Sequence, residues 1–270
     1  MESETFMPKT VRTIAVLIIT AMSLLALAPP AAAIQPGASA FERTWSRTDL
    51  PVAETQVNRT WMWGPAAFTS AMGEYYEDAT FGVRVVQYFD KTRMEISTDP
   101  AANPNSIWYV TNGLLARELV TGQMQEGDTL FTERAPAEVN VAGDANDANG
   151  PTYASFSQLL DAAPLAAGTV VSQRIDRAGG VSDDPALAGR NVLAAHFVAE
   201  TNHTVAGPFW EFMNAEGMVY ETAGYQEARL FDNPFFATGF PISEAYWATV
   251  QVAGTPRDVL IQVFERRVLT

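Results

Sequence analysis

A five-residue pattern occurs twice in this chain. Gln87-Tyr88-Phe89-Asp90-Lys91 returns as Gln262-Val263-Phe264-Glu265-Arg266. Each copy sets a glutamine, a spacer, a phenylalanine, an acid and a base in that order. A Gly/Pro turn precedes each, Gly64-Pro65 and Gly239-Phe240-Pro241. The proline-to-glutamine gap is 22 positions (65 to 87) in one copy and 21 (241 to 262) in the other. Matching punctuation at matching spacing predicts two copies of one supersecondary unit, and so a fold built from a repeated strand module. A repeat of this kind favours a binding or structural role over catalysis.

The N-terminus predicts export. Lys9 and Arg12 form a basic region, Ile14 to Ala28 an apolar one, and Pro29-Pro30 with Ala31-Ala32-Ala33 a break followed by small residues. That is the order of a secretory signal peptide, expected over residues 1–33. The apolar run is shorter than the ~20 residues of a spanning helix, so only an uncleaved signal would contact a membrane. Cleavage after Ala33 leaves 237 residues (270 − 33), enough for one large or two small cores. Residues 34–40 are expected to be a disordered linker.

Cysteine is absent, which excludes disulfides, thiol chemistry and cysteine-bound metals and leaves stability to packing alone. A net charge of −14 repels phosphate backbones, so no nucleic-acid partner is expected. Beyond the signal, Lys91 is the only lysine, whereas arginines recur.

Alternation predicts strands at Phe41 to Trp45 and Arg59 to Trp63, and Ala66 to Glu77 reads as a short helix. Val83 to Phe89 and Thr92 to Ile96 are strand-like. Asn112-Gly113 between Ile107–Val110 and Leu114–Val120 predicts a hairpin, because both turn residues suit positive φ. Ser155 and Gln158 have capping-box spacing for a helix. Thr169 to Asp176 reads as a strand that Asn191 to Val198 could pair with. Pro208 to Asn214 reads as a short helix with Gly217 beyond its end. Tyr246 to Val252 and Val259 to Thr270 are strand-like. Short strands, few helices and no βαβ rhythm predict an α+β fold of antiparallel β-hairpins with short helices. The expected layout is a first module over 41–136, a helix-and-hairpin insert over 137–199 and a second module over 200–270. The second module reads as truncated, since no strand follows its last one. Such an open apolar edge is expected to drive self-association.

Beyond the five-residue runs, Glu200-Thr201-Asn202-His203-Thr204-Val205 is followed by PFWEFMN from Pro208, by Gly217, by GFPISE from Gly239 to Glu244 and by VFERR from Val263. This series resembles a module of exported bacterial proteins of unassigned function, distantly similar to LGFP-type cell-wall-associated repeats. The resemblance spans Glu200 to Thr270. In the first copy it is confined to Trp63-Gly64-Pro65 and the run from Val86 to Ile96. It implies an extracellular module of unassigned ligand. The function expected of the chain is a non-catalytic interaction module without a cofactor, with cell-wall polysaccharide or another surface protein as partner.

In the signature runs, Phe89 and Phe264 are expected to anchor the core. Gln87 with Asp90 and Lys91, and Gln262 with Glu265 and Arg266, are expected to bridge neighbouring strands through the amide and an ion pair, with contact to a ligand as the alternative. Trp61 and Trp63 share a face if their segment is a strand, near Tyr75 and Tyr76. Exposed, these four aromatics would stack sugar rings or peptides; buried, they are core. His196, Glu200 and His203 stand at i, i+4 and i+7, but their segment reads as strand and turn, so no metal site is expected. No G-x-S-x-G elbow occurs, and no catalytic residue is assigned. The alternative to an interaction module is an exported hydrolase of unrecognised type, using His203 with a serine and a carboxylate. Asp144, Asp147 and Asn149 in DANDANG read as turn residues rather than calcium ligands.

Overall fold

The computed structural model describes residues 37–270; the expected signal peptide and linker residues 34–36 lie outside this range. Ser39 and Ala40, expected in the linker, instead open helix α1 (Ser39–Ala53). The strand expected at Phe41 to Trp45 is part of this helix. Phe41, Trp45 and Thr48 fall at i, i+4 and i+7 and are buried with Asp49. A five-residue window fits either period, and the longer apolar face decides for the helix.

The first antiparallel sheet has the order β1 (Met72–Tyr75), β2 (Val83–Phe89), β3 (Thr92–Ile96) and β4 (Val110–Asn112). The segment from Arg59 to Trp63 is irregular, and the helix expected over Ala66 to Glu77 is replaced by β1. The hairpin expected at Asn112-Gly113 does not form, because α2 (Leu115–Thr121) follows β4 directly. Asn112 is drawn inward: its Oδ1 accepts from the Thr92 hydroxyl at 2.9 Å and its Nδ2 donates to the Phe236 carbonyl at 3.1 Å. On α2, Glu118 faces β3, where the Arg93 guanidinium grips it through two bonds of 2.8 and 2.9 Å. A buried bidentate pair of this kind outweighs the turn preference of an Asn-Gly dipeptide. Gly122, in the left-handed region at φ 75°, closes the helix.

A small hairpin of β5 (Gln123–Gln125) and β6 (Phe131–Glu133) follows. The helix expected from Ser155 is a single 3₁₀ turn, Ala154–Phe156. The Ser155 hydroxyl accepts from Thr152 N at 2.9 Å and donates to Arg177 O at 2.6 Å, so it is taken up by the loop. Next comes a hairpin of β7 (Gln173–Ile175) and β8 (Val181–Asp183), then one of β9 (Ala194–Val198) and β10 (His203–Ala206). The two expected strands Thr169–Asp176 and Asn191–Val198 meet only at one bridge, Val170 with Leu193. Helix α3 (Gly207–Met213) forms where PFWEFMN predicts it, and Gly217 falls in the next strand. The hairpin β11 (Glu216–Glu221) and β12 (Gly224–Arg229) is followed by β13 (Tyr246–Val252), β14 (Thr255–Val263) and β15 (Val268–Leu269). The second large sheet runs β15-β14-β13-β7-β8. The architecture is α+β, dominated by antiparallel hairpins.

The two signature runs occupy matching registers. Met72 pairs with Val86 as Tyr246 pairs with Ile261. Gln87 pairs with Met94 and Tyr88 with Arg93, as Gln262 pairs with Leu269 and Val263 with Val268. The turn strands match too: Lys91 N donates to Trp63 O at 3.1 Å, and Arg266 N to Thr238 O at 2.9 Å. Gly64 and Gly239 have φ of 122° and 69°, and a Cβ on either would stand 2.6 or 2.8 Å from the Cβ of Asp90 or Glu265. Only glycine supplies both that backbone and that approach. Phe89 and Phe264 are both buried.

Each signature glutamine is fully buried and ties its strand to two other segments. Gln87 Oε1 accepts from Gly37 N at 2.8 Å, at the entry to α1, and its Nε2 donates to Thr69 O at 2.8 Å. Gln262 Oε1 accepts from Ala206 N at 3.0 Å, at the entry to α3, and its Nε2 donates to Ser243 O and Thr204 O, each at 2.9 Å. The acid and base of each run do not pair with one another. Glu265 Oε2 accepts from Phe240 N at 3.0 Å, while Lys91 and Arg266 turn to backbone carbonyls.

The cores interlock. Trp63 packs edge-on against Phe231 and Phe236, with ring centroids 5.9 and 6.2 Å away, and Val219 and Leu230 join the same cluster. Gln262→Leu should lower the unfolding free energy by about 2–4 kcal/mol, since one buried N–H and two carbonyls lose their partner. Urea denaturation measures this; a loss under about 0.5 kcal/mol would remove the amide from its stabilising role.

Candidate functional site

The ends of both signature runs reach one cleft of about 540 Å³. Trp61, Asp90 and Lys91 come from the first run and the irregular segment before it. Arg266, Arg267 and the whole of β15 come from the second. The register of each β-turn puts these residues there, because the glutamine and phenylalanine are held inside and the next two residues must turn outward. Phe209 and Phe212 of α3 and Tyr153, just before the 3₁₀ turn at Ala154–Phe156, supply apolar walls. The volume lies in the roughly 300–1,000 Å³ range of small-ligand sites.

The cleft is unusual in its charge. Lys91 Nζ donates to Trp61 O at 2.8 Å, Arg266 Nη1 to Phe236 O at 2.7 Å and Arg267 Nη1 to Met62 O at 3.0 Å. Among the described residues, none of the three lies in an ion pair with a carboxylate, although the chain carries 31 acidic residues. Arg267 is 7% exposed, and its Nε and Nη2 have no hydrogen-bond partner; Arg266 Nε has none either. The Arg267 guanidinium lies 4.9 Å from the Trp63 ring centroid. Burial pulls its pKa down to about 10, against the opposing field of Asp49. Asp49 itself is buried, and its carboxylate accepts from the backbone N–H groups of Met62, Trp63 and Gly64 at 2.8, 2.8 and 3.1 Å. Loss of hydration raises its pKa despite those donors.

The four aromatics singled out by sequence do not form one platform. Trp61 is half-buried, stacked on Trp45 at 6.5 Å, and reaches the cleft. Trp63 is 1% exposed and belongs to the core. Tyr75 lies exposed on β1, and Tyr76 is buried with its hydroxyl on Asp128 at 2.8 Å. Burial raises the Tyr76 pKa, helped by that carboxylate. The shared face of Trp61 and Trp63 required a strand that does not form. Of the signature residues, Asp90, Lys91 and Arg266 come together at the cleft with Phe89 behind them, whereas Gln87, Gln262 and Phe264 are internal. Arg267, Phe209 and Tyr153 were not singled out by sequence. The Arg266-Arg267 dipeptide was the visible signal for the first, and nothing in the sequence marked Tyr153.

The histidines have structural surroundings. His203 and Glu244 are both buried, with His203 Nδ1 3.1 Å from Glu244 Oε1 and Nε2 2.9 Å from Leu160 O. Glu244 also accepts from Thr204 N and Leu165 N. Both ring nitrogens are thus engaged by oxygen atoms of the surrounding core. The Ser243 hydroxyl donates to Glu244 O at 2.8 Å and accepts from Val263 N at 3.1 Å. His196 stacks on Trp210 at 3.7 Å. In the DANDANG loop, Asp144 accepts from Ala253 N and Gly254 N, and Asp147 from Gln251 N, so both clamp the β13–β14 hairpin.

No family model, curated protein or solved structure matches this chain.

A buried guanidinium without a carboxylate or full hydrogen bonding is costly to the fold. Arg267→Met is therefore expected to leave thermal and urea stability unchanged to within about 1 kcal/mol, or to raise it. A destabilisation of more than about 3 kcal/mol would make Arg267 a structural residue instead.

Proposed function

We propose that this chain is an exported, non-catalytic interaction module that holds cell-wall material or another surface protein in the cleft at the ends of its two signature runs. One observation carries the reading. The cleft joins aromatic walls to three cationic side chains, and among the described residues its lining includes neither histidine nor serine and a single acidic side chain, Asp90. Acid–base hydrolysis of a glycoside uses two carboxylates, and a serine hydrolase a base with a free lone pair. What the cleft offers is contact area and charge. The N-terminal segment and the likeness to cell-wall-associated repeats support export and a surface partner.

Co-sedimentation of the purified mature chain with insoluble bacterial cell wall tests this function. Retention is expected, and it should weaken at least tenfold in Trp61→Ala. Mass spectrometry of the exported protein should find an N-terminus near Ile34. Absence of retention together with turnover of ester, peptide or glycoside substrates that His203→Gln abolishes would replace the interaction module by the hydrolase alternative.

A further inference from the structure

The repeat allows the cleft to be compared with its counterpart in the first copy. There, β3 is covered on its outer side by β4: Met94 pairs with Asn112 and Glu95 with Thr111. Met94 corresponds to Leu269, since both pair with the signature glutamine of their own copy. Among the described residues β15 pairs only with β14, and Val268, Leu269 and Thr270 line the cleft. An uncovered strand edge presents backbone N–H and C=O groups ready for another strand. The first copy also shows what such a strand needs: Val110 and Asn112 are buried on either side of Thr111.

The cleft is also charged. Lys91, Arg266 and Arg267 line the same cleft without an ion-pair partner among the described residues, and two nitrogens of the nine-tenths-buried Arg267 are unpaired. In a chain of net charge −14 this is a local concentration of positive charge. It favours an occupant that brings a carboxylate, through charge-assisted hydrogen bonds. A strand edge alone would take any peptide, and a cationic cleft alone any anion; together they select a peptide with an acidic group.

We infer that the cleft is an acceptor for an extended, carboxylate-bearing peptide segment, which adds as a strand to the outer edge of β15 in the place β4 occupies on β3, with its carboxylate directed to Lys91 and the Arg266-Arg267 pair. This rests on the reading of the cleft as a binding site and names the class of ligand it takes.

The test uses the mature chain and three blocked hexapeptides. The first carries the β4 residues Val-Thr-Asn within an extended sequence and ends on an aspartate side chain. The second replaces that aspartate by asparagine. The third keeps it and methylates alternate backbone nitrogens. Titration by isothermal calorimetry or amide NMR is expected to show saturable binding of the first, at least tenfold weaker binding of the other two, and loss of the aspartate preference in Lys91→Gln. Lys91 is half-buried at the surface, and an unchanged thermal melt confirms that the variant is folded. Equal binding of the methylated peptide, or no saturation at millimolar peptide, would overturn strand addition. Binding of free glucuronate in competition with the first peptide, and as tightly, would overturn the peptide assignment in favour of an acidic sugar. Cell-wall retention unaffected by saturating peptide would leave the interaction module standing while removing this account of its cleft. Peptide binding without retention would keep the acceptor and remove the cell wall as its partner.

Discussion

A buried primary amide holds each half of this protein together. A glutamine side chain offers a planar acceptor and two donors about one side chain away from its own strand, so it can bond segments that no backbone ladder reaches. Gln262 joins β14 to the entry of α3, to β10 and to the Ser243 turn. Gln87 joins β2 to the entry of α1 and to Thr69. Buried without those partners, the amide would destabilise the fold, so its presence obliges the helix entry, the turn and the strand to be assembled in one arrangement. Phe89 and Phe264 then follow inward two residues later, and the acid and base must leave the core on the far side of the turn.

That outward step creates the cleft. Because the two copies share their register, their charged ends arrive at comparable places relative to their own strands, and the packing of Trp63 against Phe231 and Phe236 brings both to one side. The Asp49 carboxylate fixes the backbone of Met62 to Gly64 from α1, and the carbonyl of Met62 in turn receives Arg267 from the second copy. A chain of contacts thus runs from the first helix to the last strand. Among the described residues the cationic groups at its end have no carboxylate ion-pair partner, which is unfavourable for the fold alone and favourable for holding an anion.

The polar groups most suggestive of chemistry in the sequence are engaged by the fold. His203 and Glu244 bond each other and three backbone groups, and Ser243 bonds its neighbour and β14. The acids of the DANDANG loop are held by the amides of a hairpin. In a protein without disulfides, such side-chain-to-backbone bonds take over the fixing of long loops.

Local sequence determined the repeat, the strands β2, β3 and β13, helix α3 and the α+β class, because each of these is written in a period or a turn that acts over a few residues. Gly64 and Gly239, and the glutamine–phenylalanine spacing, were legible for the same reason. The sequence did not reveal that Phe41 to Trp45 is helical, since five residues satisfy both periods, nor that Asn112-Gly113 ends a strand, since Asn112 is claimed by Thr92 and Phe236 far along the chain. The site was half legible. Asp90, Lys91 and Arg266 stood in the signature, and Trp61 among the aromatics, but their convergence with Arg267, Phe209 and Tyr153 depends on how segments far apart in the chain pack. No spacing rule encodes that convergence, because burial and the geometry of long-range contacts exist only once the whole core has closed.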